Sequence, residues 1–68
     1  MTDEEIAAIL EQGLTSNPNA RLVEVVTADA THGPYRVRHY NTRDAVLLTD
    51  TGDVLTISRA DIVEARVP

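Results

Sequence analysis

The chain contains no cysteine, no tryptophan, no phenylalanine and no lysine. Without cysteine there are no disulfide staples and no thiolate metal site. Without Trp and Phe, Val, Leu, Ile and Ala must build the core, and Tyr35 and Tyr40 are the only aromatics. Two aromatics are too few for a methyl-lysine cage. No apolar run approaches the ~18 residues of a membrane span. Met1–Leu10 is acidic where a secretory signal would be basic. The expectation is therefore a cytoplasmic, reducing location with no membrane partner.

What is present is small and acidic. Sixty-eight residues make one domain, 1–68, which buries only about 60% of its unfolded surface and is marginal alone. Oligomerisation is a natural remedy for a staple-free aliphatic core. All six basic residues are Arg, against eleven Asp and Glu, for a net charge of −5. That sign argues against a generic grip on phosphate backbones. The charge is uneven, however. Residues 1–20 carry Asp3, Glu4, Glu5 and Glu11 and no base, whereas 36–43 carries Arg36, Arg38, His39 and Arg43 and no acid.

Thr2 followed by Glu5 predicts a capping box, with Asp3 and Glu4 in the first turn of a helix over about 2–13. Ile6, Ile9, Leu10 and Leu14 form its apolar stripe, and Gly13 is its stop. Thr15–Asn19 is a loop by composition. Five strand-like runs follow over about 21–67: Arg21–Ala28, Tyr35–Tyr40, Ala45–Thr49, Val54–Ser58 and Ile62–Val67. Asp29–Pro34, Asn41–Asp44, Asp50–Asp53 and Arg59–Asp61 read as the connections. Strict alternation puts Tyr35, Val37 and His39 on one face of the second run and Arg36, Arg38 and Tyr40 on the other. Ala45–Thr49, nearly all apolar, reads as a strand buried on both faces. Connections this short make antiparallel neighbours, and a small sheet of this kind is expected to curl into a barrel that hides its edges. The fold class expected is mainly β (α+β): an N-terminal helix, then a five-stranded, strongly bent antiparallel barrel.

This layout resembles the Sm-like family, its bacterial Hfq members in particular. Tyr40-Asn41-Thr42-Arg43-Asp44-Ala45-Val46-Leu47-Leu48 is similar to the family's first motif, Leu55-Thr56-Ile57-Ser58-Arg59-Ala60-Asp61-Ile62 to its second, and Val67-Pro68 to the end of the last Hfq strand. The similarity covers about two-thirds of the chain. It implies an Sm/SH3-like barrel whose fourth and fifth strands, Val54–Ser58 and Ile62–Val67, pair edge to edge with neighbours and close a homo-oligomeric ring. It also implies an Arg59 that lines the pore. The chain departs from the family where Ile57-Ser58-Arg59 replaces the Hfq Tyr-Lys-His triplet, where Arg59-Ala60 replaces Arg-Gly, and where Asp44 stands near the uridine-contacting Asn.

The candidate ligand-binding residues are Arg36, Arg38, Tyr40, Arg43 and Arg59. An Arg beside an aromatic stacks on a base and forks onto a phosphate. The plain alternative is a solvated face whose arginines pair with acids elsewhere, Arg59 with Asp61 among them. Asp50-Thr51-Gly52 matches the aspartic-protease triplet, which needs a second carboxylate from another lobe or subunit. Turn chemistry alone produces the same triplet. Asp29, His32 and His39 have no standard metal-ligand spacing, and no catalytic set, cofactor motif or metal site is assigned. The reading is a non-enzymatic Sm-like oligomer that binds single-stranded RNA or a nucleotide-like ligand. The first alternative is an acidic protein-interaction module, such as a phage- or plasmid-encoded inhibitor or adaptor of a host protein. The remote alternative is a dimeric aspartic protease.

Overall fold

The computed structural model describes every residue, Met1 to Pro68. Helix α1 spans Asp3–Gln12. The Thr2 hydroxyl accepts from the Glu5 amide at 3.1 Å, and the Glu5 carboxylate accepts from the Thr2 amide at 2.9 Å. Two of the helix's orphan donors are thereby satisfied reciprocally. The Thr2 amide's bond to the carboxylate, aided by the Thr2 side chain, holds the Glu5 carboxyl below its ordinary range. Ile6 and Leu10 are buried, and Ile9 and Leu14 pack against the same cluster.

Gly13 ends the helix, but not through a left-handed conformation: its φ is −94°. Its role is to be small. A Cβ there would lie 2.9 Å from Val37 Cγ2, 3.0 Å from Val23 Cγ1 and 3.3 Å from the Arg21 carbonyl oxygen. This close approach lets the Val37 amide donate to the Gly13 carbonyl at 2.8 Å and the Thr15 amide donate to the Val37 carbonyl at 2.9 Å. Gly13→Ala is expected to cost about 1–3 kcal/mol through overpacking. The check is a lowered urea midpoint at unchanged m-value; an unchanged midpoint would mean that the helix end slides freely off Val37.

Five strands follow: β1 Val23–Thr27, β2 Thr31–Tyr40, β3 Asp44–Leu48, β4 Val54–Ser58 and β5 Ile62–Arg66. All their pairings are antiparallel, in the order β4-β3-β2-β1-β5. Every expected strand is present. β2 begins earlier than expected, because Gly33-Pro34 lies inside the strand and not in a turn. The β1–β2 connection is only Ala28-Asp29-Ala30, closed by the Thr27 amide on the Ala30 carbonyl at 2.8 Å.

The bend in the sheet comes from β-bulges, where two residues oppose one and the strand twists sharply. Gly33 and Pro34 together face Glu24 across β1, Arg38 is the extra residue against β3, and Val63 is the extra residue of β5 against β1. β2 pairs with β1 through its first half and with β3 through its second. The strand therefore serves two sheet halves that wrap one aliphatic core of Ile6, Leu10, Val23, Val25, Val37, Ala45, Leu47, Ile57, Ile62 and Ala65. Helix α1 covers this core, resting on β5, β2 and β1.

Closure is incomplete. β4 and β5 are joined by a single 3₁₀ turn, Arg59–Asp61, yet they are the two edges of the sheet and do not pair. The barrel-like sheet stays open along this seam. A cavity of about 600 Å³ lies there, between Leu55–Ser58 of β4, Val63 of β5 and the β1–β2 turn.

Candidate nucleic-acid interface

The bulge at Arg38 decides which side chains share the outer face. Before it, Val37 pairs with Leu47 and both are core residues. After it, the register moves by one, so His39 pairs with Val46 and Tyr40 with Ala45. A one-residue slip sends every later side chain to the opposite face. Tyr40 thus turns inward with Ala45, and His39 turns outward. Strict alternation expects the reverse for both residues, and the extra residue is the physical reason that expectation is corrected.

The outer face carries two cross-strand rows. Arg36 stands beside Leu48 and Val54, and His39 stands beside Val46 and Thr56. Val46 is only 8% exposed although it lies outside the central core, and Val54 is 52% exposed. Arg36, Arg38 and His39 are all exposed. Arg43 is exposed at the β2–β3 turn, where the Asn41 side-chain oxygen accepts from the Arg43 and Asp44 amides, both at 2.8 Å. That Asx turn fixes the backbone and leaves the guanidinium in solvent.

The ion pairs of the molecule are Arg59–Asp3, Arg66–Glu24 and Arg66–Glu64. Arg36, Arg38 and Arg43 take part in none of them. No carboxylate lies within ion-pair distance of these three guanidinium groups. Arg36 and Arg38 on the outer face of β2 and Arg43 at the β2–β3 turn are thus exposed, with their guanidinium hydrogen-bonding capacity free.

Tyr40 and Arg59 do not join them. The Tyr40 hydroxyl donates to Glu11 Oε2 at 2.8 Å, and that carboxylate pushes the phenol above its ordinary range. Arg59 is buried, its side chain only 5% exposed. Its Nη1 donates to the Asn41 carbonyl at 2.7 Å, and its Nη2 donates to the Asp3 carbonyl at 3.1 Å and to Asp3 Oδ1 at 2.8 Å. Its Cζ lies 5.9 Å from the Tyr40 ring centroid. Arg59 is an internal clasp and contacts Asp3, not Asp61. The expectation of an open, pore-lining arginine is corrected by this burial: both carbonyls it holds are remote in sequence.

Two other candidates resolve locally. The Thr27 hydroxyl lies 2.8 Å from Asp29 Oδ1, to which it donates, and 3.3 Å from His32 Nε2. The Thr27 bond lowers the Asp29 carboxyl, helped by the nearby imidazole. His32 is therefore engaged near the β1–β2 turn, apart from His39. Asp50-Thr51-Gly52 forms the β3–β4 hairpin: the Gly52 amide donates to the Thr49 carbonyl at 3.0 Å and the Thr49 amide to the Asp53 carbonyl at 2.9 Å. Thr51 is tied to Thr49 and Asp53. Gly52 has φ +88°, as this turn requires.

Sequence reasoning missed Leu48, Val46 and Val54 as the apolar floor between the basic residues. Only the register of β2 on β3 reveals them, and no local signal marks the bulge at Arg38. No protein-family model, curated protein or solved structure matches this chain.

Proposed function

We propose that this protein is a non-enzymatic, Sm-like binding module for single-stranded RNA or a nucleotide-like anion, taken on the outer face of β2. The observation that carries this reading is the unpaired trio Arg36, Arg38 and Arg43. Guanidinium groups fork onto phosphates, and Leu48 and Val54 offer an apolar surface in the same row as Arg36 for unstacked bases. His39 stands where the sequence alone puts Tyr40. The free edges of β4 and β5 support assembly of like copies, since an unpaired edge is a template for another strand.

Replacing Arg36 and Arg38 together with Glu is expected to abolish retention of a single-stranded oligoribonucleotide in a filter-binding assay, with the far-UV circular dichroism unchanged. Affinity of the parent is expected to fall with salt at a log–log slope of about −2, from three phosphate contacts at roughly −0.7 each. Unaltered retention by the double variant would remove the strip from consideration. Native mass with and without the oligonucleotide reports assembly and bound polyanion together.

A second reading has its own support. The open seam, with Asp29 and Asp61 at its cavity, suits a module that accepts a strand from a different protein by edge addition. Binding of such a partner would persist in the Arg36→Glu/Arg38→Glu variant, which separates the two readings.

A further inference from the structure

A second cavity, about 350 Å³, opens at the end of the basic strip, beside the β3–β4 hairpin. This volume lies in the range of about 300–1,000 Å³ usual for small-molecule sites. Leu22, Pro34, Tyr35 and Leu48 supply its apolar and aromatic lining, with Arg36 and Asp50 among its walls. Leu22 is 46% exposed, an uncovered aliphatic group next to one of the two aromatics in the chain. Asp50 is exposed and unoccupied by its own turn: Thr49, Thr51 and Asp53 bond to one another without it. Arg36 is likewise free. Two opposite charges line one small cavity and do not pair with each other.

We infer that this cavity takes a guanine base, with Asp50 reading its Watson–Crick edge and Arg36 holding the attached phosphate. The inference rests on the polyanion reading above and names its base preference. The chemistry follows from acceptor counting. An ionised carboxylate is acceptor-only, with two oxygens side by side. Guanine presents two adjacent donors, N1–H and the N2 amino group. Adenine and cytosine each set one amino donor beside a bare ring nitrogen, whose lone pair would face a carboxylate oxygen. Uracil sets one N–H between two carbonyls. Only guanine meets both carboxylate oxygens with hydrogens. The flat base finds Tyr35 and Leu48 as apolar contacts, a stacking environment that single-stranded recognition uses generally.

The test is an NMR titration of the ¹⁵N-labelled protein at low salt with guanosine, inosine and adenosine 5′-monophosphates, beside oligoadenylate in the filter assay. Guanosine monophosphate is expected to shift the amides of Leu22, Tyr35, Leu48 and Asp50 and to bind about tenfold or more tighter than the adenosine nucleotide, the scale of one good bidentate pair. Inosine monophosphate, which lacks the N2 amino group, falls between them. Asp50→Asn keeps the size of the side chain but replaces one acceptor oxygen by a donor. It is expected to bring the guanosine-to-adenosine ratio to near one with the same thermal midpoint. Equal affinities in the parent overturn the proposal, as does a guanosine preference that survives Asp50→Asn. If oligoadenylate is retained while the parent shows no guanosine preference, the cavity proposal fails and the polyanion reading stands. If neither oligoadenylate nor any nucleotide binds, both fail.

Discussion

Arg59→Leu is expected to lower the stability of the fold by about 2–4 kcal/mol, because two backbone carbonyls lose their donor at once. A 68-residue domain has roughly 3–10 kcal/mol in total, so the variant loses a large share and its urea midpoint falls steeply. The carbonyl contacts and the ion pair contribute separately. Asp3 is 72% exposed on its side chain, so its carboxylate returns to water when the arginine goes. The carboxylate is thus the replaceable half of the pair, whereas the guanidinium is buried. The Asn41 and Asp3 carbonyls instead face a leucine that donates nothing. Asp3→Asn keeps an Oδ1 acceptor and the Asp3 carbonyl but leaves the buried guanidinium without its counter-charge, so it is expected to cost about 1–2 kcal/mol, less than Arg59→Leu. Arg59→Lys falls between, since one ammonium does not reproduce the planar fork that spans both carbonyls. The clasp joins the start of α1, the β2–β3 turn and the link between the two edge strands, so helicity should melt at lower urea than the sheet in the leucine variant. An Asp3→Asn variant as unstable as Arg59→Leu would show that the ion pair, not the carbonyl cage, does the holding.

The same residue marks the limit of what the chain declares about itself. The signals that act within a few residues read true: Thr2 and Glu5 cap the helix, Ile6 and Leu10 face the core, and β4 has the bounds Val54–Ser58 that its β-branched run suggests. The helix-then-five-strands order was legible for this reason. The sequence offers Arg59 as a pore-lining ligand residue or a solvated turn residue paired with Asp61, and neither shows its burial, which depends on Asp3 and Asn41, partners far along the chain. Alternation puts Tyr40 on the arginine face because it has no register for an inserted residue, and the bulge at Arg38 is set by how β2 must bend between β1 and β3. The candidate site was therefore half visible. Its charges stood in the sequence, whereas the apolar residues between them and the loss of Tyr40 follow from pairing across strands.

Gly33→Ala is expected to be the most damaging single-methyl change in the molecule, at about 3 kcal/mol or more from strain and overlap together. Gly33 has φ +111°, where an L side chain is strained, and an added Cβ would sit 2.7 Å from the Val23 carbonyl oxygen and 2.9 Å from the Tyr35 amide nitrogen. Both obstacles are backbone, so relief requires pulling β1 from β2 at Val23–Tyr35. Gly52 supplies the internal comparison: its φ is +88°, but nothing lies within 4 Å of the new atom. Gly52→Ala carries conformational strain alone, about 1–2 kcal/mol. The difference between the two urea midpoints isolates the overlap. Its consequence reaches the functional face, because the bulge at Gly33 bends the strand that goes on to present Arg36, Arg38 and His39. Amide exchange should accelerate first at Val23, Val25 and Tyr35 in the Gly33 variant, and any bound oligonucleotide should be released over the same range of urea. Equal losses at Gly33 and Gly52 would mean that β1 and β2 separate without resistance and that this bulge does not set the bend.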